Sequence, residues 1–337
     1  MSAGRPRLIP LDSPDDWAAT LDRVPHAFAH TWENCHAMRL STGLRTFLYV
    51  WENDGGTVVC PLSVREYAGR EDLVTPYGFS GFVGTGAIDA FPPEWKAFAT
   101  DSGYVCSYVQ LNPLFQDSRT FDAAECHVHG SIYAVDLRGP EPALFARLSE
   151  NRRREVRSAA QPGIEVLMDD ERAERFFVEH YHACMRARMA SPVYSFAGDT
   201  LTALLSSERT FSIGIAAGGV IEAVTLFGWT RTAGDYLFNV ATDSGRRHSA
   251  LLIWEGMKRL KQMEVPVLNL GGGIRAGDGV AQFKERFGGI RKPLCCVKQV
   301  FDAEAYGQLC RIAGLDSNPP TAFFPPYHRP HPVQAPG

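Results

Sequence analysis

Lys284 stands between Phe283 and Phe287, a little downstream of Gly271-Gly272-Gly273, and is the residue of this chain with the clearest chemical use. A cation held beside glycine-rich backbone in a poorly hydrated cleft stabilises negative charge where it develops during a reaction. Val265-Pro-Val-Leu-Asn-Leu270 is a short apolar run cut off by the three glycines, as expected of a strand whose C-terminal end opens on a cleft. Phe283 and Phe287 lie one helical turn apart and pack inward, so Lys284 projects from the flank of that turn. Residue type alone favours a plainer fate, because lysines are rarely buried and most are solvated surface cations. The same stretch carries Gly271-x-Gly273-x-x-Ala276, the spacing of a dinucleotide fingerprint. It fails on context. That fingerprint needs a helix beginning within the glycines, and here Gly277-Asp278-Gly279 prolongs the loop until Val280.

Two further groups suit phosphate. Arg152, Arg153, Arg154 and Arg157 place four arginines within six positions of a predicted helix. They form a local positive field able to make forked hydrogen bonds. The competing use is a solvated face paired with Glu150 and Glu155. Gly245, Arg246, Arg247 and His248 lie just ahead of the predicted helix from Ala250, where backbone N–H groups and a helix N-terminus bind anions. No metal site is expected. Cys126-His-Val-His129 and His180-x-His182-x-Cys184 lack a second pair at zinc-binding distance.

Positioning these groups takes a large frame. At 337 residues the chain exceeds the usual size of a single core and should form two domains, or one domain with a large addition. Its 45% apolar and 21% charged residues describe an ordinary globular protein, not a disordered one. A formal charge of −4 gives no overall basic field, so a nucleic-acid partner must be met by a local patch. The eight cysteines are dispersed, several inside apolar runs, and read as packing residues. No window approaches the roughly 20 apolar residues of a membrane span, and Met1-Ser-Ala-Gly-Arg-Pro-Arg7 has no apolar leader, so a cytoplasmic location is expected.

The pattern changes near residue 138. Before it, 46–51, 57–67 and 72–77 read as strands, 91–100 as a helix and 104–111 as another strand. The glycine- and aromatic-rich Gly78–Gly86 is either a binding-face loop or a tight connection. After Tyr133–Leu137, helices are predicted over 142–160 and 171–189, strands over 211–216, 220–230 and 235–241, a helix over 250–261, and the strand 265–270. Helix, helix, three antiparallel strands, helix and strand is the element order of an acyl-CoA N-acyltransferase (GNAT) domain. The first half shows a worn version of it, as a tandem duplication would.

At residue level the chain resembles the FemABX peptidyltransferases and, more widely, FemAB-type acyltransferase domains. The likeness rests on Asn151-Arg152-Arg153 with Ala159 and Gly163, on Tyr181-x-x-x-Met185-x-x-Arg188, and on Pro192-x-Tyr194. It continues through Tyr236-x-Phe238, Trp254, Leu270-Gly-Gly272 and Phe283-Lys284-x-x-Phe287-Gly288, spanning about residues 140 to 300. The resemblance implies that Lys284 stabilises the anionic tetrahedral intermediate of acyl transfer. It implies that Tyr194 and Tyr236, with Phe238 and Gly272, line the acceptor site, and that Arg188 faces a phosphate. The chain departs from the family in lacking the long helical-hairpin arm of some members, and in having Ala190-Ser191 where positively charged acceptor contacts are expected.

The expected fold class is therefore α/β (α+β): two tandem GNAT-like domains with mixed, mostly antiparallel sheets flanked by helices. The first spans 1–138, joined by the segment 302–320, the second spans 139–301, and 321–337 is an extended proline-rich tail. The expected function is an N-acyltransferase that moves an aminoacyl group from aminoacyl-tRNA to the amine of a peptidoglycan precursor or peptide-like metabolite. No tightly bound cofactor is expected. With no Ser-His-Asp or Cys-His signature in the sequence, direct attack by the acceptor amine is the simplest chemistry. An acyl-CoA donor, with its pyrophosphate at Gly245–His248, is the alternative. A non-catalytic binding protein of the same fold is a third reading, favoured if Lys284 points to solvent.

Overall fold

A computed structural model describes residues 6–86, 88, 90–115, 121–159, 161–273, 279–315 and 323–329. In the first half β1 (Arg7–Pro10), α1 (Pro14–Leu21) and α2 (Trp32–Thr42) precede β2 (Arg45–Glu52), β3 (Gly56–Tyr67) and β4 (Arg70–Val74). A short β5 (Val83–Gly86), α3 (Phe91–Asp101), β6 (Cys106–Gln110) and β7 (Cys126–Asp136) complete it. After α4 (Glu141–Arg147) and α5 (Glu150–Ala159), the order repeats. It runs β8 (Ile164–Met168), α6 (Glu171–Ala187), α7 (Gly198–Leu205), β9 (Thr210–Ala217), β10 (Val220–Trp229), β11 (Gly234–Ala241), α8 (Ser249–Gln262) and β12 (Val267–Asn269). Next come α9 (Gly279–Glu285), β13 (Ile290–Val300) and α10 (Ala303–Ile312).

The strands of the described residues form one sheet in the order β1-β2-β3-β4-β6-β13-β7-β12-β11-β10-β9-β8, with β5 on β3. Read from both ends, this order matches element for element: β1 with β8, β2 with β9, β3 with β10, β4 with β11 and β6 with β12. At the centre β7 and β13 are exchanged. Strand β7 of the first half pairs with β12, while β13 of the second pairs with β6, and the two pair with each other. Each half has one parallel pair, β4 with β6 and β11 with β12, and the other pairings are antiparallel.

Helices cover both faces. One side of β9–β12 packs on α8, α4 and α5 through Phe211, Ile213, Phe227, Leu251 and Leu268, and the other side packs on α6 and α7 through Val224, Leu226, Phe177 and Leu201. Helix α2 of the first half meets its counterpart α7 across the dyad, where Ser41 Oγ lies 2.6 Å from Thr200 Oγ1 and Thr200 Oγ1 donates to Ala37 O at 2.8 Å. Helix α10 returns to the first half, burying Leu309 and Cys310 beside Val105 and Cys106.

Two expectations are corrected. The single helix predicted over 142–160 is broken at Leu148, whose backbone is extended with ψ 143. The carbonyls freed at the break are taken by Arg153, whose Nη1 donates to Ala146 O at 2.9 Å and to Leu148 O at 2.6 Å. Within the expected extended tail, Phe323–Arg329 instead folds back onto the first half. Tyr327 is buried and His328 Nε2 lies 2.8 Å from the carboxylate of buried Asp72, which Arg65 also holds.

Candidate acyl-transfer site

The parallel strands β11 and β12 stay paired only at Gly234–Leu268 and Asp235–Asn269, then diverge. Lys284 enters at this fork. Its side chain is 9% exposed, its Nζ donates to Gly272 O at 2.7 Å and lies 5.7 Å from the Tyr236 ring centroid. The glycines are required here. Gly271 has φ +69, and a Cβ on it would stand 3.2 Å from the ammonium, while a Cβ on Gly272 would overlap the Ser131 carbonyl. Inward packing of Phe287, fully buried, and of Phe283 edge-on to it at 5.2 Å fixes the rotation of α9 that aims Lys284 inward. Among the described residues, the first half has no equivalent fork. Beyond the β4–β6 pair, Gly81 is pressed against the backbone of Leu111 and Asn112 Nδ2 donates to Phe79 O at 2.5 Å, closing it.

On the α2/α7 face of the sheet, a cavity of about 870 Å³ runs between the halves, and Tyr236 is the wall it shares with the Lys284 fork. Tyr194 and Phe238 line it, as do Gly78 and Phe79 of the glycine-rich loop, while Phe82 of that loop is buried in the first-half core. Tyr77 is the centre of its aromatic wall, 5.6 Å from Tyr194, 5.0 Å from Phe196 and stacked at 6.0 Å on Phe238. Burial pushes the Tyr236 phenol up to about 12, so it enters the site as a neutral donor. At the far end His129 Nε2 lies 2.9 Å from Gln110 Oε1, and Cys296 faces the cavity while Cys295 packs into the first-half core.

The phosphate-directed residues divide. Arg152 is buried, stacks 4.6 Å above Phe283 and pairs with Glu155 at 2.6 Å, so it ties α5 to α9. Arg154 and Arg157 are exposed on that helix, Arg157 with its guanidinium 5.2 Å over the Phe145 ring, and with Arg153 they line a shallow basic depression. Gly245 is packed where a Cβ would overlap Glu222 O; Arg247 and His248 both reach the Glu222 carboxylate, at 3.2 and 2.9 Å, and Arg246 pairs with Asp243. Arg188 is exposed and grips Asn239 through its carbonyl and its side chain, at 2.9 and 3.0 Å. Ala276 and the loop 274–278 lie outside the described residues.

Two site residues went unnoticed in the sequence. Asp235 lines the cavity at 7% exposure; its Oδ1 accepts from Asn269 Nδ2 at 2.9 Å, and its Oδ2 has no hydrogen-bond partner among the described residues. Burial raises its carboxyl from 3.8 to about 6, against the Asn269 amide and the Phe28 backbone N–H, which lower it. Asn269, 2% exposed, accepts in turn from Gly271 N at 2.8 Å, so one chain of hydrogen bonds links Asp235 to the backbone that holds Lys284. The signal was an acid opening the apolar strand Asp235-Tyr-Leu-Phe-Asn-Val-Ala241 and an amide inside Val267-Leu-Asn-Leu270.

The duplicated order, the exchanged central strands and the forked parallel pair define two tandem GNAT-like domains. Among solved structures, the chain shares its fold with FemX, at a TM-score of 0.69 and 11% identity over 90% of this chain and 99% of that one. It is also similar to a conserved protein of unknown function from Bacteroides thetaiotaomicron, at a TM-score of 0.59 and 12% identity over 86% and 97% of the two chains. L-PGS from Bacillus licheniformis aligns at a TM-score of 0.52 and 13% identity over 86% and 92%. No family model and no curated sequence matches the chain.

Proposed function

We propose that this protein is an N-acyltransferase that forms an amide bond, taking an aminoacyl group from aminoacyl-tRNA and giving it to an amine in the interdomain cavity. The observation that carries the reading is the buried Lys284 ammonium, held on Gly272 O at the fork and set beside Tyr236, which also lines the cavity. An ester carbonyl placed at the fork meets a preorganised cation, and an amine arriving from the cavity attacks that carbonyl. The tetrahedral oxyanion is held by Lys284, and collapse releases the alcohol of the donor. The step needs no resident cofactor and no protein nucleophile. A lysine buried in this way does not suit a solvated surface cation, which weighs against a binding protein without turnover.

The donor is read from the surroundings of the fork. Arg154 and Arg157 present guanidinium groups on α5, the helix that Arg152 and Phe283 fasten to the Lys284 helix. Acyl-CoA is less well served, because Arg246, Arg247 and His248 are engaged with Asp243 and Glu222. The resemblance to FemABX enzymes supports the same choice, with a peptidoglycan precursor or a peptide-like metabolite as acceptor and the cytoplasm as the place of work. Calorimetric titration at low salt with aminoacylated tRNA, and in parallel with acetyl-CoA, tests the donor. Salt-sensitive binding of charged tRNA without heat from acetyl-CoA is expected. Saturable binding of acetyl-CoA alone moves the donor to acyl-CoA.

A further inference from the structure

The geometry points to Asp235 as the catalytic base of this site, the group that receives the acceptor as an ammonium ion from the cavity and takes its proton before attack. The inference rests on the acyltransferase reading above. Three observations carry it. Asp235 lines the cavity between the halves, yet is itself more than nine-tenths buried; the Asn269 amide and the Phe28 backbone N–H face its carboxylate, and Oδ2 is left without a partner within hydrogen-bond distance among the described residues. Native proteins rarely leave such an atom unsatisfied without a use for it. The other oxygen is held by Asn269, whose own carbonyl oxygen accepts from Gly271 N, next to the residue that anchors Lys284. Base and oxyanion holder are thus tied to the same end of β12, Asp235 through Asn269 and Lys284 through Gly272, and the ring of Tyr236, next to Asp235 in the chain, lies 5.7 Å from the Lys284 ammonium. Around the carboxylate, Phe28, Tyr77, Tyr236 and Phe238 line the same cavity, a setting that attracts a cation by ring faces and by the carboxylate together.

The proton accounting is as follows. An alkylammonium carries no lone pair, so it cannot attack. In an apolar cavity the separated charges of ammonium and carboxylate are disfavoured relative to neutral amine and neutral acid, and one proton passes from nitrogen to Asp235 Oδ2. The freed lone pair forms the C–N bond as the carbonyl π pair moves to oxygen beside Lys284. Collapse breaks the ester C–O bond, a second nitrogen proton goes to the departing oxygen, and Asp235 returns its proton to water. Burial, which already raises this carboxyl, suits it to the task.

Two amines separate this role from a structural one. Transfer from aminoacyl-tRNA is measured in the full-length protein and in Asp235→Asn, to the ε-amine of an Nα-acetyl-lysine amide and, above the spontaneous background, to hydroxylamine. Hydroxylamine is unprotonated at neutral pH and needs no base to free its lone pair. The expected result is that Asp235→Asn loses transfer to the lysine amine by about a hundredfold or more, keeps transfer to hydroxylamine within a few fold, and binds charged tRNA as the parent does. An equal loss with both amines, or no loss with either, overturns the base. If Asp235→Asn fails to fold, Asp235→Glu is measured the same way, and an equal change with both amines again overturns it. Transfer by the parent protein to neither amine overturns the acyltransferase reading itself, and this inference with it.

Discussion

At the scale of the residue, the site is two charges that burial would normally forbid, each kept for a reason. Lys284 gives up most of its hydration for the Gly272 carbonyl and the face of Tyr236. Its removal in Lys284→Ala should lower the rate of transfer by about 10²–10³-fold while circular dichroism stays unchanged. Gly271→Ala should act on the same ammonium indirectly, since it strains a left-handed backbone by about 1–2 kcal/mol and crowds Nζ; thermal melting and the transfer rate should both fall. Asp235 titrates at about 6 in the folded chain and near its ordinary 3.8 when unfolded. Between those values the folded state holds a proton that the unfolded state has lost, so stability falls as pH rises through this window, and the whole cost is present above it. Asp235→Asn should therefore stabilise the protein at pH 7 by about 2–3 kcal/mol and do nothing of note below pH about 4. Urea unfolding at the two pH values decides. A variant that is more stable and less active is the mark of a residue retained for function.

At the scale of the element, α5 shows how one cationic helix divides its labour. Arg152 is stacked on Phe283 and paired with Glu155, so Arg152→Ala should destabilise by about 1–3 kcal/mol, read as a lowered melting temperature. Arg154 and Arg157 face outward. Replacing either with Ala should reduce the salt dependence of tRNA binding by roughly one unit of slope, as loss of one phosphate contact does, and Arg154→Ala should leave the melting temperature in place, whereas Arg157 also stacks on Phe145. A slope unchanged in both variants would place the RNA elsewhere.

At the scale of the whole molecule, the exchange of β7 and β13 makes the halves interdependent. Cutting between residues 138 and 139 would strip β7 of both its neighbours and leave β6 as a bare edge on one piece and β12 on the other. Unpaired edges of buried, apolar strands associate, so either piece alone should aggregate, whereas the two co-expressed should assemble, as size-exclusion chromatography would report. The same exchange creates the cavity, because its walls come from β3, β4, β6 and β7 on one side of the dyad and from β11, β12 and β13 on the other.

The sequence by itself determined many of the elements and singled out Lys284, which the fold buries at the strand fork. Alternating and helical periodicity located the strands 46–51, 57–67, 211–216, 220–230 and 235–241 and the helices 91–100, 171–189 and 250–261, because those patterns are local, but it gave no sign of α1, α2 or α7. The Phe283-Lys284-x-x-Phe287 spacing aimed one lysine at a glycine-rich strand end. Periodicity missed the break at Leu148, where the chain turns extended and Arg153 takes the freed carbonyls. Only the tertiary structure decided which charges are used by the fold and which are left for a substrate. Arg152, Arg247 and His248 are spent on Phe283, Glu155 and Glu222, contacts no spacing announces. Asp235 became a site residue when the fork of β11 and β12 buried it beside Asn269, a neighbour 34 positions away along the chain. Burial and pairing are properties of packing between distant segments, so they are written in the sequence only through the fold.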